Sequence, residues 1–258
     1  MDLLQTIVLG IVQGITEWLP VSSSGHIVIF ENLFGISAPI ILALTLHLGT
    51  LIAVCAVFWK DIINVLKAII KLDFKSEYGK LALFIIIAMI PTAIIGFTFK
   101  STFESFFNNL NAVGIALILT GCFLFICERW EKKNILGLKE SILIGIAQGI
   151  AIIPGISRSG ATIGTGLLAG VEKQKVARFS FLLSIPAIIG AAVFDVNMTD
   201  VASVGLTQIL IGMVTSAIVG YLTIKFLLNL INKQKFHWFA VYCWVVGILI
   251  VLFANKIL

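Results

Sequence analysis

The feature that most restricts this chain is a pair of long apolar stretches, 7–34 and 142–169, each cut near its middle by a short polar turn. The first is broken by Pro20-Val21-Ser22-Ser23-Ser24-Gly25-His26, the second by Pro154-Gly155-Ile156-Ser157-Arg158-Ser159-Gly160. Proline ends one helix and serine caps the next, so each stretch reads as two short helices joined by a turn. Six further apolar segments, at about 40–59, 81–100, 111–128, 177–195, 206–228 and 238–255, carry no such polar turn. Each is about long enough to cross a hydrocarbon layer roughly 30 Å thick. Irregular backbone survives at that depth only where protein buries it or a wet cavity faces it. The two breaks are therefore expected to form re-entrant hairpins enclosed by six full spans.

Composition points the same way. Hydrophobic residues make up 59% of the 258 positions and charged residues only 12%, where a soluble domain has about a quarter charged. The expected fold is an all-α polytopic membrane protein, a single membrane domain over 1–258. The net charge of +5 comes from basic residues between apolar segments, which act as topology signals and give no reason to expect a nucleic-acid partner. Cys55, Cys122, Cys127 and Cys243 lie in apolar stretches without metal-site spacing and read as small buried hydrophobes. The N-terminal MDLLQTIVLG lacks the basic region of a cleavable signal, so none is expected.

The two halves repeat. Gly10-Ile11-Val12-Gln13-Gly14-Ile15 recurs 135 positions later as Gly145-Ile146-Ala147-Gln148-Gly149-Ile150, and Ala56-Val57-Phe58 recurs as Ala192-Val193-Phe194. Internal repeats over 1–130 and 136–258 are expected. Basic residues cluster at Lys60, Lys67, Lys71, Lys75 and Lys80, at Arg129, Lys132, Lys133 and Lys139, at Lys173, Lys175 and Arg178, and at Lys225, Lys233 and Lys235. Segments 29–39, 101–110 and 196–205 have neither Lys nor Arg. Placing the basic connections in the cytoplasm alternates correctly across all six spans. Each repeat then holds one hairpin and three spans, an odd number, so the copies have inverted topology and their turns face each other. The first hairpin enters from the extracytoplasmic side.

Buried polar residues carry the chemistry. Glu17 is the only acid between Asp2 and Glu31, and a carboxylate in an apolar run is read as functional unless something else explains it. Gln13, one helical turn earlier, shares its face. Arg158 supplies the matching cation, able to offset the desolvation of Glu17 near His26 and to grip phosphate oxygens with a planar fork. Ser157, Ser159, Gly160 and Thr162 surround it with hydroxyls and turn amides, a cradle suited to an oxyanion. His26 can act as a base or nucleophile, and Ser22, Ser23 and Ser24 offer hydroxyls to attack or bind. His47, in the middle of a span, reads as a packing or hydrogen-bonding residue, and His237 as an interfacial one.

At Gln13-Gly14-Ile15-Thr16-Glu17-Trp18-Leu19-Pro20-Val21-Ser22-Ser23-Ser24-Gly25-His26 and at Pro154-Gly155-Ile156-Ser157-Arg158-Ser159-Gly160-Ala161-Thr162, the chain closely resembles the undecaprenyl-diphosphate phosphatases. The likeness extends through Phe179-Ser180-Phe181-Leu182-Leu183-Ser184-Ile185-Pro186 and covers nearly the whole chain. It implies a multi-pass enzyme of the bacterial plasma (inner) membrane. Such an enzyme hydrolyses undecaprenyl or another polyprenyl diphosphate to the monophosphate carrier plus inorganic phosphate, recycling the carrier for peptidoglycan and other envelope polymers. Bacitracin competes with such an enzyme by sequestering the lipid. The resemblance maps the acidic motif onto Gln13 and Glu17, the motif serine and histidine onto Ser23 and His26, and the phosphate-binding arginine onto Arg158. It also implies a divalent cation, Mg²⁺ or Ca²⁺, near Glu17 and Gln13. Many relatives carry Glu at the first of these positions, and the amide of Gln13 can offer a carbonyl oxygen but no second negative charge. A homodimer is compatible with the resemblance.

Sequence leaves the nucleophile open among Ser23, His26 and a water activated through His26 and Glu17. The expected cavity lies between the hairpins and opens to the extracytoplasmic side. A transporter or flippase that binds a phosphate-bearing lipid without cleaving it is the rival, because an inverted repeat does not determine chemistry.

Overall fold

The computed structural model describes residues 2–36, 39–127, 135–195, 204–232 and 236–257. Among them it contains twelve helices and no strand. In chain order these are α1 Leu3–Thr16, α2 Ser23–Phe34, α3 Ile40–Val57, α4 Trp59–Ile70, α5 Glu77–Thr98, α6 Lys100–Phe107, α7 Leu110–Cys127, α8 Leu138–Ile150, α9 Arg158–Leu168, α10 Lys173–Asp195, α11 Leu206–Asn232 and α12 His237–Ile257. Of the basic topology residues, Arg129, Lys132, Lys133, Lys233 and Lys235 fall outside the described residues, as does 196–203 of the connection free of Lys and Arg.

Six helices, α3, α5, α7, α10, α11 and α12, are long and apolar enough to cross a membrane. They are the six segments expected from the sequence. Helices α1, α2, α8 and α9 have 14, 12, 13 and 11 residues. At about 1.5 Å per residue even the longest reaches only about 21 Å, short of the hydrocarbon thickness. Helices α4 and α6 were not expected, since the sequence presents their residues only as connections between spans.

Close backbone approach organises the packing. Helix α1 lies along α11, and α8 lies along α5. A Cβ on Gly14 would stand 2.7 Å from Cβ of Val219, and one on Gly149 would stand 2.9 Å from Cβ of Ile95. Small residues at such crossings let helices meet where no hydrophobic effect drives them together. Thr92, the residue after the helix-interior Pro91, donates to Ala88 O at 2.9 Å and to Gly145 O at 2.8 Å, tying α5 to α8. Helix α7 runs against α12, and α3 against α11.

The centre is closed by aromatics. Trp18, in the turn after α1, is 1% exposed and meets Phe181 of α10 edge-on at 5.5 Å. Phe181 in turn lies 5.5 Å from Phe58, at the junction of α3 and α4. This plug seats the first polar turn against α10 and fixes the position of its neighbour, Glu17.

Candidate active site

Helix α1 ends where Glu17 caps its C-terminus and its N–H donates to Gln13 O at 2.9 Å. The chain turns through 17–21 into Ser22, whose φ of 69° lies in the left-handed region. A non-glycine residue held there costs of order 1–3 kcal/mol, so its surroundings must over-determine it. They do, because Ser22 Oγ accepts the N–H of Gly25 at 3.3 Å, capping α2, and the N–H of Gly155 at 3.1 Å, from the second turn. With two donors pointing at that oxygen, its own proton is directed to Ser24 Oγ, 3.3 Å away.

The second turn follows the same local plan. Gly155 adopts φ 96°, and Ser157 caps α9 by accepting the N–H of Gly160 at 3.1 Å. Ser157 Oγ and Ser159 Oγ are 3.2 Å apart. Ser159 also donates to Leu19 O at 3.1 Å, a second bond between the turns. The contact leaves no room for side chains: a Cβ on Gly25 would sit 3.1 Å from Gly155 Cα. Long helices brace the pair from outside. Thr120 of α7 donates to Gly155 O at 3.0 Å and accepts from Ser157 N at 3.3 Å. The Cys243 thiol of α12 donates to Pro20 O at 3.7 Å.

Glu17, 4% exposed, is where the turns converge chemically. Its Oε2 accepts from Ser23 Oγ at 2.5 Å and from Gln13 Nε2 at 2.9 Å. Its Oε1 accepts from Arg158 Nη2. Ser23 and Arg158 are the first residues of α2 and α9, so one carboxylate is held from two capped helix starts. An isolated buried carboxylate would cost several kcal/mol. Here a guanidinium, a hydroxyl and an amide meet it, aided by the positive ends of two helices. His47 of α3 adds a second basic group, with Nε2 3.6 Å from Glu17 Oε2.

Among the described residues four buried side-chain polar atoms have no hydrogen-bond partner, and two of them, Arg158 Nη1 and Gln13 Oε1, belong to groups bonded to Glu17; the others are Trp18 Nε1 and Gln148 Oε1. A small cleft of about 10 Å³ lies against Arg158, lined by Glu17, Trp18, Arg158, Ser159, Ser180, Phe181 and Ser184. The site thus pairs a half-engaged guanidinium with a hydroxyl whose proton already points at a carboxylate. Such a set can hold a tetrahedral oxyanion and generate an attacking alkoxide beside it.

Not every residue singled out in the sequence meets Glu17. Ser22, Ser157 and Gly160 spend their hydrogen bonds on capping and on joining the turns. Thr162 donates to Arg158 O at 2.8 Å and lies 2.6 Å from Ser180 Oγ, fastening α9 to α10. Arg158 meets Glu17 as expected, while the hydrogen bonds of His26 go to other partners. His26 Nδ1 donates to Ser22 O at 2.8 Å, which leaves Nε2 to accept from Tyr242 Oη at 2.8 Å. Gln148 donates to Thr92 Oγ1 at 3.3 Å, within the α5–α8 contact.

Sequence reasoning gave no site role to His47, Ser180, Ser184, Thr120 or Tyr242. The signal for His47 was present, since the rule that made an intramembrane Glu17 functional applies equally to an intramembrane histidine. Tyr242 gave none, because an aromatic residue within an apolar span is ordinary.

These features describe a multi-pass, all-helical membrane protein with an enclosed acid–hydroxyl–guanidinium set suited to an anionic group. Residues 6–249 match the family model described as Bacitracin resistance protein BacA, and the chain belongs to that family. It is 43% identical over 266 residues to the undecaprenyl-diphosphatase of Halothermothrix orenii, covering 99% of both chains. It is also 43% identical over 270 residues to that of Methanobrevibacter smithii, and 40% over 260 to that of Carboxydothermus hydrogenoformans, with 97% of both chains covered in each case.

Proposed function

We propose that this protein is an undecaprenyl-diphosphatase, releasing inorganic phosphate from the lipid diphosphate and returning the monophosphate carrier to envelope synthesis. The observation that carries the reading is the buried Glu17 carboxylate shared by Ser23 and Arg158. On substrate entry the free edge of Arg158 takes the terminal phosphate, and the guanidinium shifts its bonds from Glu17 to the phosphoryl oxygens. Glu17, so released, accepts the proton of Ser23 as Oγ attacks the terminal phosphorus. The anhydride P–O bond breaks and undecaprenyl phosphate leaves. Water then hydrolyses the phosphoserine, regenerating Ser23 and freeing phosphate. Ser23 is preferred to His26 as nucleophile because the His26 Nε2 lone pair is engaged by Tyr242. His26 orients the α2 start through its bond to Ser22 O.

A divalent cation, Mg²⁺ or Ca²⁺, fits this site as a companion of the diphosphate. No group of three or more His, Cys, Asp or Glu stands together among the described residues, so phosphate and water must complete the ion's coordination. Glu17 and the unpartnered Gln13 Oε1 are the residues that would hold it. When bound, it supplies charge neutralisation on the phosphates.

The finer architecture belongs to the same proposal. The pairs α1–α2 and α8–α9 are re-entrant hairpins, and 1–130 and 136–258 are inverted-topology repeats of one membrane domain. Three correspondences support this: Ser22 and Ser157 cap alike, Gly14 and Gly149 serve equivalent crossings, and α1 on α11 answers α8 on α5. With the basic connections inside, the cavity opens on the extracytoplasmic face of the plasma membrane, where polymer-forming reactions discharge the diphosphate.

The deciding experiment is phosphate release by purified protein from undecaprenyl diphosphate. Stoichiometric monophosphate and phosphate support the proposal. Saturable lipid binding without release would overturn it in favour of a transporter or flippase.

A further inference from the structure

Helix α4, Trp59–Ile70, stands outside the chemistry described so far, and its three faces differ sharply. Ile62 and Val65 pack on the core, and Ala68 is buried. Trp59, Ile63, Leu66 and Ile70 recur at helical spacing on a second face and are exposed, Ile70 to 81%. Lys60, Lys67 and Lys71 form a third stripe beside the apolar one, all exposed, with Lys75 in the turn that follows. Lys60 Nζ lies 5.7 Å from the Trp59 ring.

The acids nearby are already engaged. Asp61 accepts from Arg178 Nη2 at 2.5 Å and Glu77 from Arg178 Nη1 at 3.0 Å. Asp73 Oδ1 accepts the N–H groups of Lys75 and Ser76 at 3.3 and 3.2 Å. Lys60, Lys67, Lys71 and Lys75 consequently have no carboxylate partner among the described residues. Four cations without a carboxylate partner among the described residues therefore adjoin an apolar stripe that the protein does not cover.

We propose that α4 and the turn after it form a docking surface for anionic phospholipid headgroups of one leaflet. The Trp59–Ile63–Leu66–Ile70 stripe sinks among the acyl chains, and the lysines sit in the headgroup plane. An amphipathic helix with basic residues flanking its apolar face takes this position in an interface. Charge complementarity selects the occupant, because zwitterionic lipid satisfies the apolar stripe and leaves four cations uncompensated. Each lysine near an anionic surface is worth roughly a five-fold preference. The Arg178 clamp to Asp61 and Glu77 holds the surface against α10 and α5.

Two measurements test this. Protein extracted from vesicles of equal phosphatidylcholine and phosphatidylglycerol is examined by native mass spectrometry. The wild type should retain phosphatidylglycerol about five-fold or more over input, and the Lys60→Gln/Lys67→Gln/Lys71→Gln/Lys75→Gln variant should return to the input ratio. Equal enrichment in the two proteins, or none in the wild type, would overturn the proposal. In a cysteine-free background, a fluorophore on Ile63→Cys should be quenched by a doxyl label high on the acyl chain. Quenching by aqueous iodide alone would place α4 in water and overturn it independently.

Discussion

At Ser22 and at Ser157, 135 positions apart, the chain makes the same local structure: a serine accepts the N–H three residues ahead and starts a short helix. The next residue differs. In the first turn it is Ser23, whose hydroxyl gives its proton to Glu17, and in the second it is Arg158, whose guanidinium grips the same carboxylate. Gln13 and Gln148 diverge likewise, one bonded to Glu17 and the other to Thr92. A common backbone frame thus carries an acid and a hydroxyl on one side and a cation on the other. The frame supplies position, and the departures from likeness supply reactivity.

Substitutions that erase or exchange these departures test the comparison directly. The largest effect is expected at Arg158→Ala, where phosphate release should fall by about 10³-fold or more, since losing one oxyanion donor alone costs about 10²–10³. Breaking a buried pair from one side costs about 3–5 kcal/mol, so the Glu17→Gln/Arg158→Ala double variant should melt above the Arg158→Ala single variant in detergent. Ser23→Ala comes next, with a loss of about 10²–10³-fold and no phosphoenzyme on rapid quench. Its positional counterpart to the cap, Ser157→Ala, should instead show about 1 kcal/mol of lost stability in the same melting assay.

The glutamine pair separates the halves further. Gln13→Leu should slow turnover about ten-fold, the worth of a hydrogen bond to a charged group, whereas Gln148→Leu should stay within about two-fold. Equal losses would mean that both glutamines serve the site. Tyr242→Phe should have the smallest effect, about three- to five-fold, as the His26 acceptor loses its donor.

Much of this was legible in the sequence, for reasons that differ by element. The six spans declared themselves because lipid demands about twenty apolar residues in a row. The turns did so because Pro20, Pro154 and the serines interrupt such runs, and Glu17 with Arg158 because opposite charges in an apolar setting need each other. Contacts between distant segments were harder to see. His47 reaches Glu17 from a different helix, and Tyr242 reaches His26 across 216 positions. Helix α4 was hidden by its own lysines, which mark a connection more loudly than Ile62, Val65 and Ala68 mark a helix face. The sequence also gave no indication that Ser22 would be consumed in joining the turns.

That junction bears on how the protein can move. With the Gly155 amide on Ser22 and the Ser159 hydroxyl on Leu19, the two turns are joined before any lipid arrives. A rocking motion of the two halves would have to unfasten those bonds and part the carboxylate from the guanidinium. Ferrying the carrier between leaflets by that motion is thereby disfavoured in the empty protein, which behaves as a fixed anvil to which the lipid must come.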